Sequence, residues 1–198
     1  MDAERRLLLT GFEPWADHAA NPAEVLARRL DGWRHRGWRV CGVVLPVALD
    51  AGPAVLTAAR RDLRPHAVLH LGLAASRPGL TVERWAHNVA DFPLPDNRGA
   101  QPRGEPLAED GPTRLAATLP VAAAVHALAA TGVPATPSAS AGQFVCNAVL
   151  YASLRWAAAA RFAGPVGFVH LPSPQTLALD TQERALERLL RWLVAAQL

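Results

Sequence analysis

Short, continuous apolar runs alternate along this chain with longer segments in which apolar residues recur every three or four positions. Residues 7–10, 38–45, 67–73 and 166–171 are runs of the first kind, rich in Leu and Val. Each predicts a strand buried on both faces. Helical spacing predicts a helix over 22–30, opened by Asn21 as cap and Pro22 in the first position. It predicts further helices over 50–63 and 121–130, one around Cys146, and an amphipathic terminal helix over 180–198. Weak alternation over 81–89 predicts a strand at one edge of the sheet, and 133–136 a short strand. Residues 91–112, crowded with Pro, Gly and charge, predict a long loop beside a site rather than a domain.

Buried strands alternating with helices predict an α/β fold, a three-layer α/β/α sandwich with a mixed, mostly parallel sheet. No internal repeat and no dividing linker is visible, so residues 1–198 are expected to form a single catalytic domain. In such folds ligands bind beyond the carboxyl ends of the strands. The loops over 11–21, 72–80 and 138–146, and the one after His170, should therefore converge.

Composition narrows the class. A chain of 198 residues, 51% hydrophobic and 19% charged, is that of a globular protein with a sizeable core. The formal charge is only +3, and every basic residue is Arg. The arginines are scattered and no basic run interleaves with aromatics, so no nucleic-acid partner is expected. No apolar stretch reaches membrane-spanning length and the first residues lack a signal-peptide pattern, so no membrane partner is expected and the cytoplasm is the default location. The two cysteines, Cys41 and Cys146, are too few for a disulfide framework. Cys41 lies in an apolar run and is expected to be an inert core residue.

Cys146 is different. Small, turn-prone residues run from Ser138 to Gly142, and a helix-like segment follows Asn147. A cysteine in the first turn of a helix meets unpaired backbone N–H groups and the positive end of the dipole, which favour the thiolate and should lower its pKa. A buried structural cysteine is the alternative. A nucleophilic thiol also needs a base, and the base an orienting acceptor. His170 ends the apolar strand Gly167-Phe168-Val169-His170-Leu171 just before Pro172, where its ring would emerge at the carboxyl end. A hydrogen-bonded core histidine would read the same way. Glu83, between Val82 and Arg84-Trp85, is either a placed acceptor or a salt-bridged surface carboxylate. His18, His35 and His126 have no partner by pattern, and His66 and His70 lack a nearby carboxylate, so no metal site or cofactor is expected.

A set of short blocks runs through most of the chain in a fixed order. It comprises Leu9-Thr10-Gly11-Phe12-Glu13-Pro14, Asn21-Pro22, Leu45-Pro46-Val47, Val82-Glu83-Arg84 with Asn88, and Pro95-Asp96-Asn97. Leu119-Pro120-Val121, Ser140-Ala141-Gly142 with Phe144-Val145-Cys146-Asn147, and Gly167-Phe168-Val169-His170-Leu171-Pro172 complete it. In this order the set resembles the type I pyroglutamyl peptidases (pyrrolidone carboxyl peptidases), a cysteine-peptidase family. The resemblance implies a Cys–His–Glu triad at Cys146, His170 and Glu83. It further implies aromatic pocket walls at Phe12, Trp15 and Phe144, main-chain contact to the lactam at Leu73, and Asn21 shaping the first loop. The implied activity is removal of N-terminal pyroglutamate from peptides through an acyl-thioester, without metal or cofactor, in a homodimer or homotetramer. Segments 91–112 and the C-terminus are candidate oligomer contacts.

The chain departs from the family pattern at Trp15, where Phe is usual, and at Ala16-Asp17 and Ala75-Ser76, where glycine pairs are usual. Pro93 replaces an arginine found in many bacterial members. A larger aromatic on a stiffer loop is expected to order less readily around substrate and to weaken binding. A paralogue acting on another small N-terminal amide, and a non-enzymatic protein with an oxidisable Cys146, are the rival readings.

Overall fold

Four parallel strands form the middle of the sheet: β1 (Arg5–Phe12), β3 (Trp38–Leu45), β4 (Ala67–Leu73) and β11 (Val166–Leu171). The computed structural model describes residues 4–16 and 18–196. With β2 (Arg34–His35), β5 (Leu80–Glu83) and β10 (Ala135–Ser138) they make a seven-stranded sheet in the order β10-β5-β11-β4-β1-β3-β2. β5 runs antiparallel to β11, and β2 antiparallel to β3. The sheet is thus mixed and mostly parallel, as the buried apolar runs predict.

Successive side chains on a strand point to opposite faces, and this sorts the core into two clusters. Leu7 and Leu9, Leu69 and Leu71, Leu80 and Val82, and Val169 and Leu171 face one side. There they pack on α1 (Pro22–Arg29), α3 (Val121–Ala129) and α5 (Leu179–Ala195). Leu8, Phe12, Val68, Val166 and Phe168 face the other side, against α2 (Ala51–Leu63) and α4 (Val145–Ala159). The result is helix–sheet–helix in three layers. Asn21 caps α1 as expected: its Oδ1 accepts from Ala23 N at 3.0 Å. No helix among the described residues is long and apolar enough to cross a membrane.

Several expectations need correction. The strand over 81–89 breaks after Glu83, because the chain changes partners at Arg84. The Arg84 N–H donates to Ser138 and its carbonyl accepts from Ala117, so β6 (Trp85–His87) pairs with β9 (Arg114–Ala116) outside the main sheet. β5 is also not an edge strand; it lies between β10 and β11, and β10 forms the edge, displaced two residues from the expected 133–136. The 91–112 excursion carries a short ladder, β7 (Ala90–Asp91) with β8 (Arg103–Glu105). The turn into β3, with Arg36 and Gly37 both at positive φ, makes a hairpin with β2 that hydrophobic patterning did not signal. The terminal helix begins at Leu179, and residues 197–198 lie outside the description.

One polar side chain is sealed inside the second cluster's layer. His70 of β4 is fully buried, and its ring shares hydrogen bonds with Thr10 Oγ1 of β1 (2.7 Å) and Ser153 Oγ of α4 (2.9 Å). These bonds tie α4 to the sheet two turns after Cys146. Burial, with a smaller push from the Arg60 cation, drives the His70 pKa from 6.5 down to about 3. The unfolded chain binds the proton first as pH falls, so stability present above pH 6.5 is lost progressively toward pH 3. The full window corresponds to a loss of up to about 5 kcal/mol. Denaturant unfolding measured from pH 7 to pH 4 is expected to show this decline. His70→Gln, less stable at neutral pH, should decline less steeply; an unchanged slope would mean that the ring does not govern it.

Candidate active site

α4 starts at Val145, which places Cys146 in its first turn, and the capping position is held by Phe144 with no side-chain hydrogen bond to the helix. Gly142 enters this turn at φ +82, a conformation that favours glycine. Strand alternation does the rest of the assembly. Residues 80 and 82 of β5, and 169 and 171 of β11, point away from α4. Glu83 and His170 therefore point toward it. There the His170 Nδ1–H donates to Glu83 Oε1 at 2.7 Å, across 87 residues of sequence. The bond leaves Nε2 as the free ring nitrogen.

Gly72 of β4 is the cross-strand partner of His170. A Cβ at this position would lie 3.0 Å from Cys146 Sγ and 2.7 Å from the Phe168 ring. The sulfur therefore occupies space beside β4 that exists only because residue 72 has no side chain. Cysteine, histidine and glutamate are thus brought to the same end of the sheet.

The electrostatics differ from the sequence expectation in one respect. Burial pushes the Cys146 thiol up to about 12, and the Glu83 charge pushes it further in the same direction. The residue's own backbone N–H and the Arg77 cation act the other way but do not prevail. A helix start lowers a thiol pKa through its dipole, but desolvation is larger here. Burial likewise pulls His170 below its ordinary value, against the pull of Glu83 and with a contribution from Arg77. Burial acts to raise Glu83, but the hydrogen bond and charge of His170, with smaller help from the Ser138 hydroxyl and then Arg77, overcome it and hold the carboxyl low. The resting site is therefore a neutral thiol, a neutral imidazole and an ionised carboxylate. Cys41, by contrast, is buried, with its thiol also pushed up, far from these groups in the fold.

A cavity of about 300 Å³ opens onto Cys146. Phe12, Trp15, Asn21, Leu73 and Phe144 all line it, together with His18, Val47, Ala75, Ser76 and Val145. Trp15 packs on Phe144 with ring centroids 4.5 Å apart, and Phe144 packs on Phe92 at 4.4 Å. The loops over 11–21, 72–80 and 138–146 thus meet at one place, as the strand ends predict.

Residues quoted above only as parts of blocks turn out to brace these loops. Glu13 Oε1 accepts from Val47 N (3.0 Å) and Asn97 Nδ2 (2.7 Å), and Asn21 Nδ2 donates to the Glu13 carbonyl (3.0 Å). Trp15 Nε1 donates to the Pro95 carbonyl at 3.1 Å. Asp96 accepts from the backbone of Leu49, Arg98 and Ala100. Asn147, one residue after the cysteine, pairs its amide with both backbone groups of His87 and donates to Val89. The 91–112 excursion is in this way a buttress for the first loop.

Two participants escaped the sequence reading. Gly72 was only the end of a strand, and Arg77, in Ser76-Arg77-Pro78-Gly79, has the look of a solvated turn residue. The Arg77 Nη1 donates to Glu83 Oε1 (2.5 Å) and to Thr81 Oγ1, and Nη2 to the Ser140 carbonyl (3.2 Å). His18, read as partnerless, lines the cavity from an exposed position. Asp17 lies outside the described residues.

This architecture has close counterparts. The family model described as pyroglutamyl peptidase matches residues 5–196. A pyrrolidone-carboxylate peptidase of Deinococcus radiodurans is 43% identical over 175 residues, covering 87% of this chain and 80% of its own. One from Photorhabdus laumondii is 39% identical, covering 94% and 90%. The crystal structure of pyrrolidone carboxyl peptidase from Pyrococcus furiosus superimposes with a TM-score of 0.94 at 31% identity, over 98% of this chain and 100% of that one. With a family model spanning nearly its whole length and relatives this similar, the chain belongs to the pyroglutamyl peptidase family.

Proposed function

We propose that this protein removes N-terminal pyroglutamate from peptides as a cysteine exopeptidase, with Cys146, His170 and Glu83 as its triad. The observation that carries the reading is the cavity itself. It ends at a cysteine thiol, its walls are Phe12, Trp15 and Phe144, and no acidic or guanidinium side chain is among its described lining residues. Such a pocket suits a compact, uncharged lactam, and none of its described lining residues sets a carboxylate against an α-ammonium group. Residues 1–198 act as one catalytic domain in this reading. Its setting is a cytoplasmic homodimer or homotetramer, to which Leu94, half exposed in the excursion, would lend apolar contact.

The neutral resting pair sets the order of events. A lactam seated against the aromatic walls places its exocyclic carbonyl carbon next to Sγ. His170 Nε2 takes the thiol proton as sulfur attacks, and the Glu83 carboxylate stabilises the imidazolium that forms. The uncapped N–H groups of the first turn of α4 offer donors to the developing oxyanion. Collapse breaks the C–N bond, and His170 returns the proton to the departing amine. Water, deprotonated by the same imidazole, then attacks the thioester and releases pyroglutamate and the free thiol.

Two measurements test this assignment. Cys146→Ser should fold normally and leave no measurable turnover of a pyroglutamyl amide; substantial activity in that variant would remove the nucleophile. Glu83→Gln keeps an acceptor for His170 but loses the charge, and should lower kcat by about 10²-fold or more with little change in KM. Near-wild-type activity would return Glu83 to a structural role.

Trp15 calls for a revised expectation. The indole hydrogen bond to Pro95 is one that phenylalanine cannot make, so the larger aromatic latches the first loop to its buttress rather than loosening it. Trp15→Phe alone should raise KM by about 2- to 10-fold, the equivalent of one net hydrogen bond, with kcat roughly unchanged. A fall in KM would favour the stiff-loop expectation instead. Ala16 sits at φ +53, so Ala16→Gly should stabilise the loop and lower KM if it moves it at all.

A further inference from the structure

Glu83 Oε1 is shared. It accepts from His170 Nδ1 at 2.7 Å and from Arg77 Nη1 at 2.5 Å, while Oε2, also buried, has no hydrogen-bond partner among the described residues. The same guanidinium reaches Thr81 Oγ1, and Thr81 is the antiparallel partner of His170 across β5 and β11. Its second terminal nitrogen donates to the Ser140 carbonyl at 3.2 Å, in the loop that leads through Gly142 to Cys146. One side chain therefore touches the carboxylate, the strand beneath the base and the approach to the nucleophile. It is about one-quarter exposed, while Glu83 is fully buried.

We propose that Arg77 is a positioning residue of the reaction: it fixes Glu83 and the 138–142 loop in one geometry and sets the charge balance between Glu83 and His170. The proposal rests on the triad reading above. Its physical basis is competition for one oxygen. A buried carboxylate bonded to an imidazole stabilises the imidazolium and works against the burial that keeps the base unprotonated. A permanent cation on the same oxygen offsets that pull while leaving the carboxylate ionised and the Nδ1 bond in place. Arginine suits the position because its planar fork can serve three acceptors at once and its charge is not lost at any working pH.

The groups that bear on His170 are few. Glu83 from β5 raises its proton affinity, and Arg77 from the β4–β5 connection lowers it. Cys146 approaches from α4, and Phe168, with its ring 4.5 Å away on β11, contributes no charge. The same two charges act on Cys146, Glu83 disfavouring the thiolate and Arg77 favouring it. Removing the cation should accordingly raise both groups, and the acid limb of kcat/KM, which reports deprotonation of His170, should move to higher pH.

The test is the pH profile of kcat/KM for a pyroglutamyl amide in wild type, Arg77→Gln and Arg77→Lys, with the His170 ring titrated by NMR. Arg77→Gln is expected to shift the acid limb and the ring titration upward by about one pH unit. It should also lower kcat/KM at neutral pH by about 10- to 100-fold. Arg77→Lys keeps the charge but not the three-way fork, so its acid limb should stay at the wild-type pH while its rate falls. An unmoved acid limb in Arg77→Gln, whatever its rate, would overturn the proposal and leave Arg77 a brace. Should Arg77→Gln fail to fold, Arg77→Met, which fills the same volume without the cation, carries the test. Cys146→Ser separates the two levels. Activity there sinks the triad itself, whereas an inactive serine variant with an unmoved Arg77→Gln profile sinks only this inference.

Discussion

A carboxylate taken out of water must be paired, and in this fold Glu83 is taken out completely. That requirement accounts for much of the local architecture. The strand carrying Glu83 is inserted antiparallel beside β11, which sets the glutamate against the histidine at its end. The connection before β5 folds back so that a guanidinium reaches the same oxygen. The chain then leaves the sheet at Arg84, once the carboxylate is delivered. A sheet of parallel strands alone would place every chain end on the same side but would not bring an acid from a neighbouring strand to meet His170 in this way.

The parts of the structure most legible in the sequence are those governed by burial alone. The four central strands announce themselves because each is covered on both faces and filled mostly by apolar residues, with hydrogen-bonded Thr10, His70 and His170 as exceptions. Asn21-Pro22 marks the start of α1 because capping is local chemistry. Legibility fails where a partner distant in the chain decides the outcome. The break at Arg84 depends on hydrogen bonds to residues 117 and 138, and no property of 81–89 by itself signals them. Arg77 lies in a turn-like tetrapeptide, and only the fold shows that its side chain points inward to three acceptors. The raised thiol of Cys146 is a sum over surrounding protein, whereas the position in a helix supplies only one contribution to it.

Family resemblance points to Cys146, His170 and Glu83 more sharply than spacing does, yet it says nothing of the physical duties of most matched residues. Several of those duties are structural rather than chemical. Asn147 stitches the first turn of α4 to residues 87 and 89, and Asn97 joins Glu13 and Pro14 to the excursion. Side-chain amides suit such work because each carries both donors and an acceptor and can satisfy irregular backbone as a strand neighbour would. Cys146, His170 and Glu83 sit on a helix start and strand ends, whereas much of the cavity wall sits on loops braced by Asn21 and Asn97. Those two braces can change without displacing the three side chains directly.

Gly72 imposes a direction on whatever bonds to the sulfur. With β4 backbone and the Phe168 ring crowding one side of Cys146, Sγ has no room to carry a substituent toward the sheet. Any acyl group or alkylating reagent attached there must extend outward, between the aromatic walls. Electrophiles shaped to pass Trp15 and Phe144 should thus find the thiol, and bulky ones that need a second approach should not. The Cys146 thiol selects by the flank that faces the cavity before any feature of the reagent's leaving group comes into play.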